Sequence, residues 1–597
     1  MIDLLTNNFV PVMFIGLLVF LMAGFPVSFS LSATGLFFGL VGMELGLFPS
    51  NLFQALPLRV FGIMQNETLL AIPFFTLMGI ILERSRMAED LLETVGQVFG
   101  PLRGGVGIAV ILVGALLAAT TGVVAASVIS MGLIAMPIML RYGYNRTIAT
   151  GTITASGTLA QALPPSLVLI VLADQLGRSV GDMYAGALLP GLMLVGLYLL
   201  FIVVVAFVRP HWVPALPLEA RIYTEPNGSS GHKSLLALFA LCAAAAVAWS
   251  QVHDSVMGPW LDRGMPAARD EIFILSTTIG SFLALGLALF NKFFKIGLLS
   301  RLTERVTFVL IPPLVLIFLV LGTIFLGIAT PTEGGAMGAL GALIMAGARR
   351  TLSFGLLKQA LENTTKLAIF VLFILIGSTV FSFTFNAADG HVWVESLFAQ
   401  LPGGQLGFLL VVNALVFVLG MFIDFFEIAF IVVPLLVPVA TKLDVNLIWF
   451  GIILAMNLQT SFLTPPFGFA LFYLRSVAAR NDYDDVITGK RISAVTTSQI
   501  YKGSIAFIIL QVIMVTVVVL NPALVTGNLD KPVVVDEDAL ENMLENMPGQ
   551  NYSTPSADVF GNFPAPAAEL EEAAPSLDEP ADEDPAKALE DALKAAE

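Results

Sequence analysis

The sequence ASGTLAQALPPS at residues 155–166 has a shorter counterpart, LTPPFG, at residues 463–468. Their Pro-Pro pairs, Pro164-Pro165 and Pro465-Pro466, lie 301 positions apart, each inside a long apolar stretch. Proline cannot donate a backbone N–H and clashes with the preceding turn, so each pair interrupts a helix and frees carbonyl groups. The matched interruptions predict a chain made of two related halves.

The composition places these halves in a membrane. Hydrophobic residues make up 57% of the chain and charged residues 12%, whereas a soluble domain carries roughly 25% charged residues. Many of the acids behind the net charge of −15 lie after Asp530, and no nucleic-acid partner is expected. The single cysteine, Cys242, excludes disulfides and cysteine metal sites. The sequence therefore predicts an all-α polytopic membrane protein.

Apolar runs between helix breakers predict about 12 spans. The predicted spans lie near residues 9–24, 26–48, 68–83, 146–175, 185–208, 234–250, 271–290, 306–329, 332–348, 364–386, 446–475 and 503–520. Two further stretches, 105–140 and 405–441, are too long for one span and have small or polar residues in the middle, which predicts two re-entrant hairpins.

The basic residues predict the orientation. With both termini outside, most of the 29 Lys and Arg residues fall in inside loops, as the positive-inside rule requires. The first hairpin then opens from the inside and the second from the outside. The two halves are therefore predicted to be inverted repeats, each with a hairpin followed by a broken helix.

Four regions follow from this map. Residues 1–208 form the first half, with hairpin 105–140 and broken helix 146–175. Residues 209–305 are an insertion with two extra transmembrane helices. Residues 306–520 form the second half, with hairpin 405–441 and broken helix 446–475, and residues 521–597 are predicted to be an acidic, disordered tail.

The helix breaks are the predicted functional sites. Pro164, Pro165, Pro465 and Pro466 free carbonyls that can bind Na+, and the helix that resumes after each break directs its positive end toward an anionic substrate. Freed carbonyls at membrane depth are tolerated where protein or a cavity satisfies them. The alternative is a proline kink in a structural helix.

The second hairpin holds two acids, Asp424 and Glu427, in a long apolar stretch. A charged group at membrane depth costs several kcal/mol unless it is paired or binds a cation. We therefore expect one Na+ site at Asp424 with Asn457, Gln459 and Thr464. The alternative is a protonated acid with a structural hydrogen bond, and Glu427 is kept as a supporting residue.

The first hairpin has no acid at its tip. A second Na+ site is predicted there from hydroxyl and carbonyl oxygens, and helix capping by the threonines is the alternative. The candidate ligands are Thr121, Gly122, Ser156, Ala162, Leu163 and Ser166.

Two polar interruptions each precede a span, and they contain Glu67, Thr330 and Glu333. These residues fit helix N-capping as well as a supporting role at an ion site. The four histidines are assigned to loops and given no role.

Several motifs carry a family resemblance: AIPFF at 71–75, residues 155–166, GIATPTE at 327–333, GMFID at 420–424 and LTPPFG. Together they resemble the large membrane subunit of tripartite ATP-independent periplasmic (TRAP) transporters, nearly as far as Leu520. The insertion and the Gly-Gly after Glu333 resemble the subgroup named for mannitol or chloroaromatic compounds.

The resemblance implies an elevator transporter of the ion-transporter superfamily in a bacterial inner membrane, so the outward termini predicted from the basic residues are expected in the periplasm. It implies Na+ as the coupling ion and no organic cofactor. The implied partners are a small four-helix membrane subunit and a periplasmic substrate-binding protein that delivers an organic acid. A 2-oxo acid or lactate-like monocarboxylate is the expected substrate, again by resemblance.

Other functions compete with this one. The first hairpin tip, Thr121-Gly122-Val123, departs from the Gly-Ser-Ser-type hydroxyls expected of the family. A stand-alone anion symporter or exchanger of the same superfamily is the alternative transporter. An intramembrane enzyme is disfavoured, because the sequence contains no nucleophile–base pair or metal-ligand cluster.

Overall fold

The architecture comes from a computed structural model of the chain. It describes residue 6 and residues 8–223, 231–260, 267–295, 297–399, 401–485, 487–527 and 529. The predicted acidic tail beyond residue 529 and parts of the predicted insertion lie outside these residues.

Helices dominate the described chain. They are α1 Phe9–Met22, α2 Val27–Glu44, α3 Leu56–Met64, α4 Glu67–Arg84, α5 Met87–Phe99, α6 Gly105–Thr121, α7 Val124–Arg141, α8 Arg146–Thr158, α9 Leu167–Gln175, α10 Val180–Val208, α11 His232–Trp260, α12 Arg269–Phe294, α13 Arg301–Phe325, α14 Pro331–Ala348, α15 Phe354–Ala387, α16 Gly390–Ala399, α17 Gly404–Leu419, α18 Phe425–Lys442, α19 Leu447–Leu463, α20 Phe469–Val477, α21 Thr497–Leu520 and α22 Ala523–Thr526. Two two-residue strands, β1 Tyr483–Asp484 and β2 Arg491–Ile492, pair antiparallel.

The predicted fold class is confirmed. Within the described residues, nine helices are long and apolar enough to cross a membrane, or up to 11 if two bent pairs each count as one span. Two pairs of helices, α6–α7 and α17–α18, each precede a broken helix. These broken helices are α8 with α9 and α19 with α20.

Some helix boundaries differ from the predictions. Helix α3 was missed, and it joins α4 at a bend of 45°. The charged stretch before the predicted span at 364–386 is part of one 34-residue helix, α15. Charged and apolar residues alternate in this stretch, a pattern that interfacial helices share with the first turns of a long span.

Glycines bring several of the helices into close contact. In α14, a methyl group on Gly335 would lie 3.1 Å from Phe74 Cβ, and one on Gly338 would lie 2.6 Å from Met78 Sδ. Helices α2 and α15 also cross closely, since a methyl group on Gly35 would lie 2.7 Å from the Val380 carbonyl oxygen. Small residues let transmembrane backbones approach and pack by van der Waals contact. Helices α4 and α14 therefore form a tightly packed pair.

The segment between α10 and α11 forms backbone hydrogen bonds with residues at the ends of several helices. Backbone N–H groups of Gly104 and Asn145 donate to the carbonyls of Val213 and Trp212, at 2.8 Å each. Leu216 N–H donates to the Gly100 carbonyl, also at 2.8 Å. This segment therefore joins the start of the α6–α7 hairpin to the start of the first broken helix.

Candidate ion and substrate sites at the helix breaks

The first break is short and buried. Helix α8 ends at Thr158, a 3-10 turn covers Leu159–Gln161, and α9 begins at Leu167. The Pro164-Pro165 bond is cis, and residues 161–170 are all buried. The carbonyls of Ala162 and Leu163 accept no hydrogen bond within the described part of the chain. The break therefore presents the free carbonyl oxygens that the sequence predicted.

The tip of the first hairpin lies against this break. Gly122 has a φ of +61°, and a methyl group on it would lie 3.3 Å from Leu167 N, where the helix resumes. Deeper in the hairpin, a methyl group on Gly114 would lie 2.5 Å from Ser156 Cβ. The structure thus brings together Gly122 and the restart of the broken helix. The side chain of Thr121 lies outside the described part of the chain.

The two predicted serine ligands have local hydrogen bonds. Ser166 caps α9, with its hydroxyl accepting from Val168 N–H at 3.2 Å and donating to the Gln161 carbonyl at 3.2 Å. The Ser156 hydroxyl donates to the Ile153 carbonyl at 3.0 Å. Each serine oxygen keeps lone-pair capacity after these bonds, so both remain able to accept a cation.

Gln161 is a residue of this site that sequence reasoning missed. Its side chain is fully buried, and neither amide atom has a hydrogen-bond partner among the described residues. A buried amide without partners is costly unless a ligand or water satisfies it. In the sequence, its position three residues before Pro164 was the feature that could have identified it as a site residue.

The second break is more open. Helix α19 ends at Leu463, Thr464 caps it, and Gly468 N–H donates to the Thr464 carbonyl at 2.9 Å. The Pro465-Pro466 bond is cis, as in the first break. Pro466 and Phe467 are exposed, whereas all corresponding residues of the first break are buried.

The tip of the second hairpin contacts this break. Five residues, 420–424, separate α17 from α18, and the Asp424 carboxylate caps α18 by accepting from Phe425 N–H at 2.7 Å. A methyl group on Gly420 would lie 2.8 Å from Ser461 Cβ, and the rings of Phe422 and Phe467 lie 4.9 Å apart. Asp424 is half-buried at this junction, and Glu427 follows one turn later on α18.

Asn457 connects the second broken helix to the hairpin. Its amide nitrogen donates to the Asn413 carbonyl on α17 at 2.7 Å. Asn413 was missed at the sequence level, and its buried side-chain oxygen has no partner among the described residues. An asparagine in an apolar run was the signal for it. Asn413 therefore contributes a buried side-chain oxygen on α17, at the residue whose carbonyl accepts from Asn457.

Gln459 has different contacts from those expected of an Asp424 neighbour. Its amide nitrogen lies 3.5 Å from Thr158 Oγ1 and 3.4 Å from the Tyr198 hydroxyl. Gln511 of α21 also donates to Tyr198, at 2.7 Å. Thr158 and Gln459 are 301 residues apart, so equivalent positions of the two halves meet here. This buried cluster links both broken helices, and a cation role for Gln459 stays a prediction.

Of the three residues predicted at the polar interruptions, Thr330 and Glu333 take part in helix capping, whereas Glu67 does not. Thr330 and Glu333 form a capping box at the start of α14, with Thr330 N–H donating to Glu333 Oε2 at 2.8 Å. For α4 the capping residue is Asn66, so N-capping by Glu67 was wrong. A carboxylate one residue inside the helix cannot replace the Asn66 side chain that accepts from Thr68 N–H.

The histidine assignment was also wrong in part. His232 and His253 belong to α11, and His391 belongs to α16. His253 is buried, with Nε2 3.1 Å from Glu271 Oε1 and Nδ1 accepting from Trp249 at 3.1 Å. These residues fasten α11 to α12 in the predicted insertion, and the long α11 extends further than its apolar core suggested.

Both breaks offer hydroxyl, amide and backbone oxygens, with one carboxylate at the second. Hard oxygen donors of this kind suit a small cation. The described residues contain no group of three or more His, Cys, Asp and Glu side chains that could hold a metal ion. A broken helix beside a hairpin, present twice in a multi-pass helical protein, defines the chain as a membrane transport protein.

The chain belongs to the DctM family. The family model for "Tripartite ATP-independent periplasmic transporter, DctM component" matches residues 14–524. This confirms the resemblance found in the motifs, and it places the chain among transporter permeases rather than enzymes.

Similar curated proteins are large permeases of this family. The C4-dicarboxylate TRAP transporter large permease of Pseudomonas aeruginosa is 27% identical over 432 residues, covering 72% of this chain and 82% of that protein. The sialic acid TRAP transporter large permease of Vibrio cholerae is 25% identical, covering 77% and 88%. The isethionate TRAP transporter permease of Oleidesulfovibrio alaskensis is 23% identical, covering 78% and 60%.

A solved structure, that of the YdaH transporter of Alcanivorax borkumensis, aligns with a TM-score of 0.46 at 14% identity. The alignment covers 80% of this chain and 90% of that one.

Proposed function

We propose that this chain is the Na+-coupled permease that takes up an organic acid from a periplasmic binding protein. The observation that carries the proposal is the repeated contact between a hairpin tip and a helix break, with free carbonyl oxygens at one break and Asp424 at the other. An ion bound at such a junction joins two helices, so its occupancy can control how the substrate region is organised.

One Na+ site is proposed in each half of the repeat, between the hairpin tip and the helix break. The first uses the Gly122 tip with oxygens of Ser156, Ala162 and Leu163, and the second uses Asp424 with Asn457. The positive ends of α9 and α20 lie at the breaks, where they favour an anion. The substrate carboxylate is therefore expected between the two breaks.

The substrate class follows from the relatives and from the resemblance. The relatives are named for C4-dicarboxylates, sialic acid and isethionate, which are all organic acids. For this chain we propose a 2-oxo acid or lactate-like monocarboxylate, on the basis of the subgroup it resembles.

The proposed setting is a bacterial inner membrane with both termini periplasmic, as the basic residues indicate. A small four-helix subunit completes the membrane complex. The two hairpins and broken helices then form the body that moves in an elevator mechanism, against the surrounding helices.

Reconstituted transport tests the proposal. The chain and its small subunit are placed in proteoliposomes, and uptake of labelled pyruvate and lactate is measured with and without the periplasmic binding protein. We expect uptake with the binding protein under an inward Na+ gradient and none when K+ replaces Na+.

A different result would contradict each part of the proposal: Na+ coupling, dependence on the binding protein and the substrate class. Uptake that persists in K+ would contradict Na+ coupling. Uptake by the chain without the binding protein would favour a stand-alone symporter or exchanger. Transport of a dicarboxylate in place of both monocarboxylates would correct the substrate class alone.

A further inference from the structure

Helix α4 is fixed to α14 along its length. Besides the glycine contacts at Gly335 and Gly338, the Thr332 hydroxyl donates to the Glu67 carbonyl at 2.6 Å. The two helices therefore stay together. Any group of helices that moves past α14 also moves past α4.

One end of α4 binds the first broken helix. Asn66 Nδ2 donates to Asp174 Oδ1 on α9 at 2.6 Å, while Asn66 Oδ1 accepts from Thr68 N–H. The capping bond fixes the orientation of the amide, so its N–H group is directed at Asp174. Gln175 Nε2 donates to the other Asp174 oxygen at 2.8 Å.

The opposite end of α4 binds the first hairpin. The hydroxyl of Ser130 on α7 donates to Glu83 Oε1 at 2.8 Å. Ser130 is buried, so water competes poorly for this contact.

The two contacts lie at the two ends of a membrane span. Asn66 and Glu83 are 17 residues apart, about 26 Å along a helix that rises 1.5 Å per residue, against a hydrocarbon core roughly 30 Å thick. Their partners belong to one packed body, because a methyl group on Gly157 of α8 would lie 2.4 Å from Val128 of α7. A shift of this body along α4 by a few ångström breaks both contacts together.

Between the two contacts, α4 offers little polar resistance to sliding. Its buried side chains there are mostly apolar, and the buried Thr76 hydroxyl has no hydrogen-bond partner among the described residues. The hydrogen bonds of α4 to the hairpin and broken helix are thus concentrated at its ends.

We propose that the Asn66–Asp174 and Glu83–Ser130 contacts are paired retaining contacts that hold the first hairpin and broken helix in the position seen here. This inference rests on the proposed elevator movement. Losing either contact destabilises this position relative to the shifted one, so the two contacts are coupled across the membrane although no side chain joins them.

Cross-linking at one end tests the effect of the other. Cys242→Ser provides a cysteine-free chain, and Asn66→Cys with Asp174→Cys places two thiols where the first contact lies. The rate of disulfide formation is measured in purified protein in K+ buffer without substrate or binding protein. Ser130→Ala, added at the opposite end, is expected to slow cross-linking about two- to tenfold, the range for one lost hydrogen bond.

Two controls separate this effect from general damage. Thr76→Val removes a hydroxyl of α4 that has no partner among the described residues and should leave the rate unchanged. Glu83→Leu should act like Ser130→Ala, whereas Glu83→Gln retains an acceptor oxygen and should stay near the parent rate. All variants must elute as monodisperse protein.

An unchanged rate in Ser130→Ala, or an equal decrease in Thr76→Val, would overturn the inference. Because the measurement requires no transport, it stays separate from the uptake experiment. Failure of Na+ coupling leaves the cross-linking result intact, and failure of cross-linking to respond leaves Na+ coupling intact.

Discussion

The two hairpins occupy equivalent places in the repeat, yet they are held very differently. Arg141 ends the first hairpin, and Lys442, 301 residues later, ends the second. Arg141 Nε lies 3.0 Å from each carboxylate oxygen of Asp485, and only 15% and 3% of these two side chains are exposed. Lys442 pairs with Glu395 at 2.8 Å, but its own side chain is 71% exposed.

The helix breaks show the same contrast. The first hairpin turns in two residues against a fully buried break, whereas the second turns in five residues beside a break whose Pro466 and Phe467 are exposed. The acid also belongs to the second junction alone. The comparison teaches that the first junction is buried and uncharged, whereas the second is partly exposed and carries a carboxylate.

The largest expected effect falls on the second junction. Replacing Asp424→Asn removes the carboxylate while keeping the shape, so we expect the Na+ concentration for half-maximal uptake to rise by about tenfold or more, the effect of losing roughly 1.4 kcal/mol. The measurement is the Na+ dependence of uptake in proteoliposomes.

Glu427→Gln is the matched change one turn away, and it should alter Na+ dependence less. An unchanged Na+ dependence in Asp424→Asn would remove this residue from the ion site and would weaken the contrast between the junctions.

The next effect falls on the close contacts inside the hairpins. Gly114→Ala would force a methyl group to 2.5 Å from Ser156 Cβ, and Gly420→Ala to 2.8 Å from Ser461 Cβ. Overpacking of a buried contact costs about 1–3 kcal/mol. We expect Gly114→Ala to lower the thermal midpoint more, because the buried first hairpin has less room to shift.

Differential scanning fluorimetry in detergent measures both midpoints. Equal decreases would mean that the second hairpin is packed as rigidly as the first.

The smallest effect separates the two basic residues. Arg141→Met leaves the buried Asp485 without its charged partner and should lower the thermal midpoint by about 2–4 °C, as a loss near 1 kcal/mol does in a large domain. Lys442→Met should be nearly neutral, because exposed ion pairs contribute little. The same fluorimetry compares them.

The pKa of Asp485 also predicts how the difference in thermal midpoint between Arg141→Met and the parent depends on pH. The Arg141 guanidinium, with help from the Thr488 hydroxyl, lowers the pKa of Asp485 to about 2. A lowered carboxyl pKa contributes stability above the unfolded pKa, near 3.9, and the contribution is lost as pH falls toward 2. The difference between Arg141→Met and the parent should therefore be the same at pH 5.5 and pH 8. A difference that grows between these values would contradict the assignment.

Sequence patterns predicted much of this fold because a residue that does not suit a membrane helix can be recognised from its immediate sequence neighbours. The Pro-Pro pairs and the acid at Asp424 stand out against apolar surroundings, so both breaks can be recognised from the sequence alone. The Arg141–Asp485 pair could not be recognised in this way, because its partners are 344 residues apart and neither a basic residue at a helix end nor an acid in a loop is unusual by itself.

The candidate sites were predicted less completely. Gln161 and Asn413 carry buried, unpartnered amide atoms among the described residues, but burial of one helix face depends on which helices pack there. Gln459 was predicted at one Na+ site with Asp424 and with Asn457, which lies two residues earlier. Two residues apart on a helix lie on different faces, which is why Asn457 contacts the hairpin and Gln459 contacts the other broken helix.

The contact between Thr158 and Gln459 also bears on how such a chain could arise. Two separate copies of one half, paired about a two-fold axis, would set identical residues against each other at this point. At such a point, two copies of the same side chain must supply both the donor and the acceptor of any hydrogen bond between them. Joining the halves in one polypeptide releases that restriction, since an amide can then sit opposite a hydroxyl. In a single polypeptide, equivalent positions of the two halves are therefore able to carry different side chains where they meet, as Thr158 and Gln459 do.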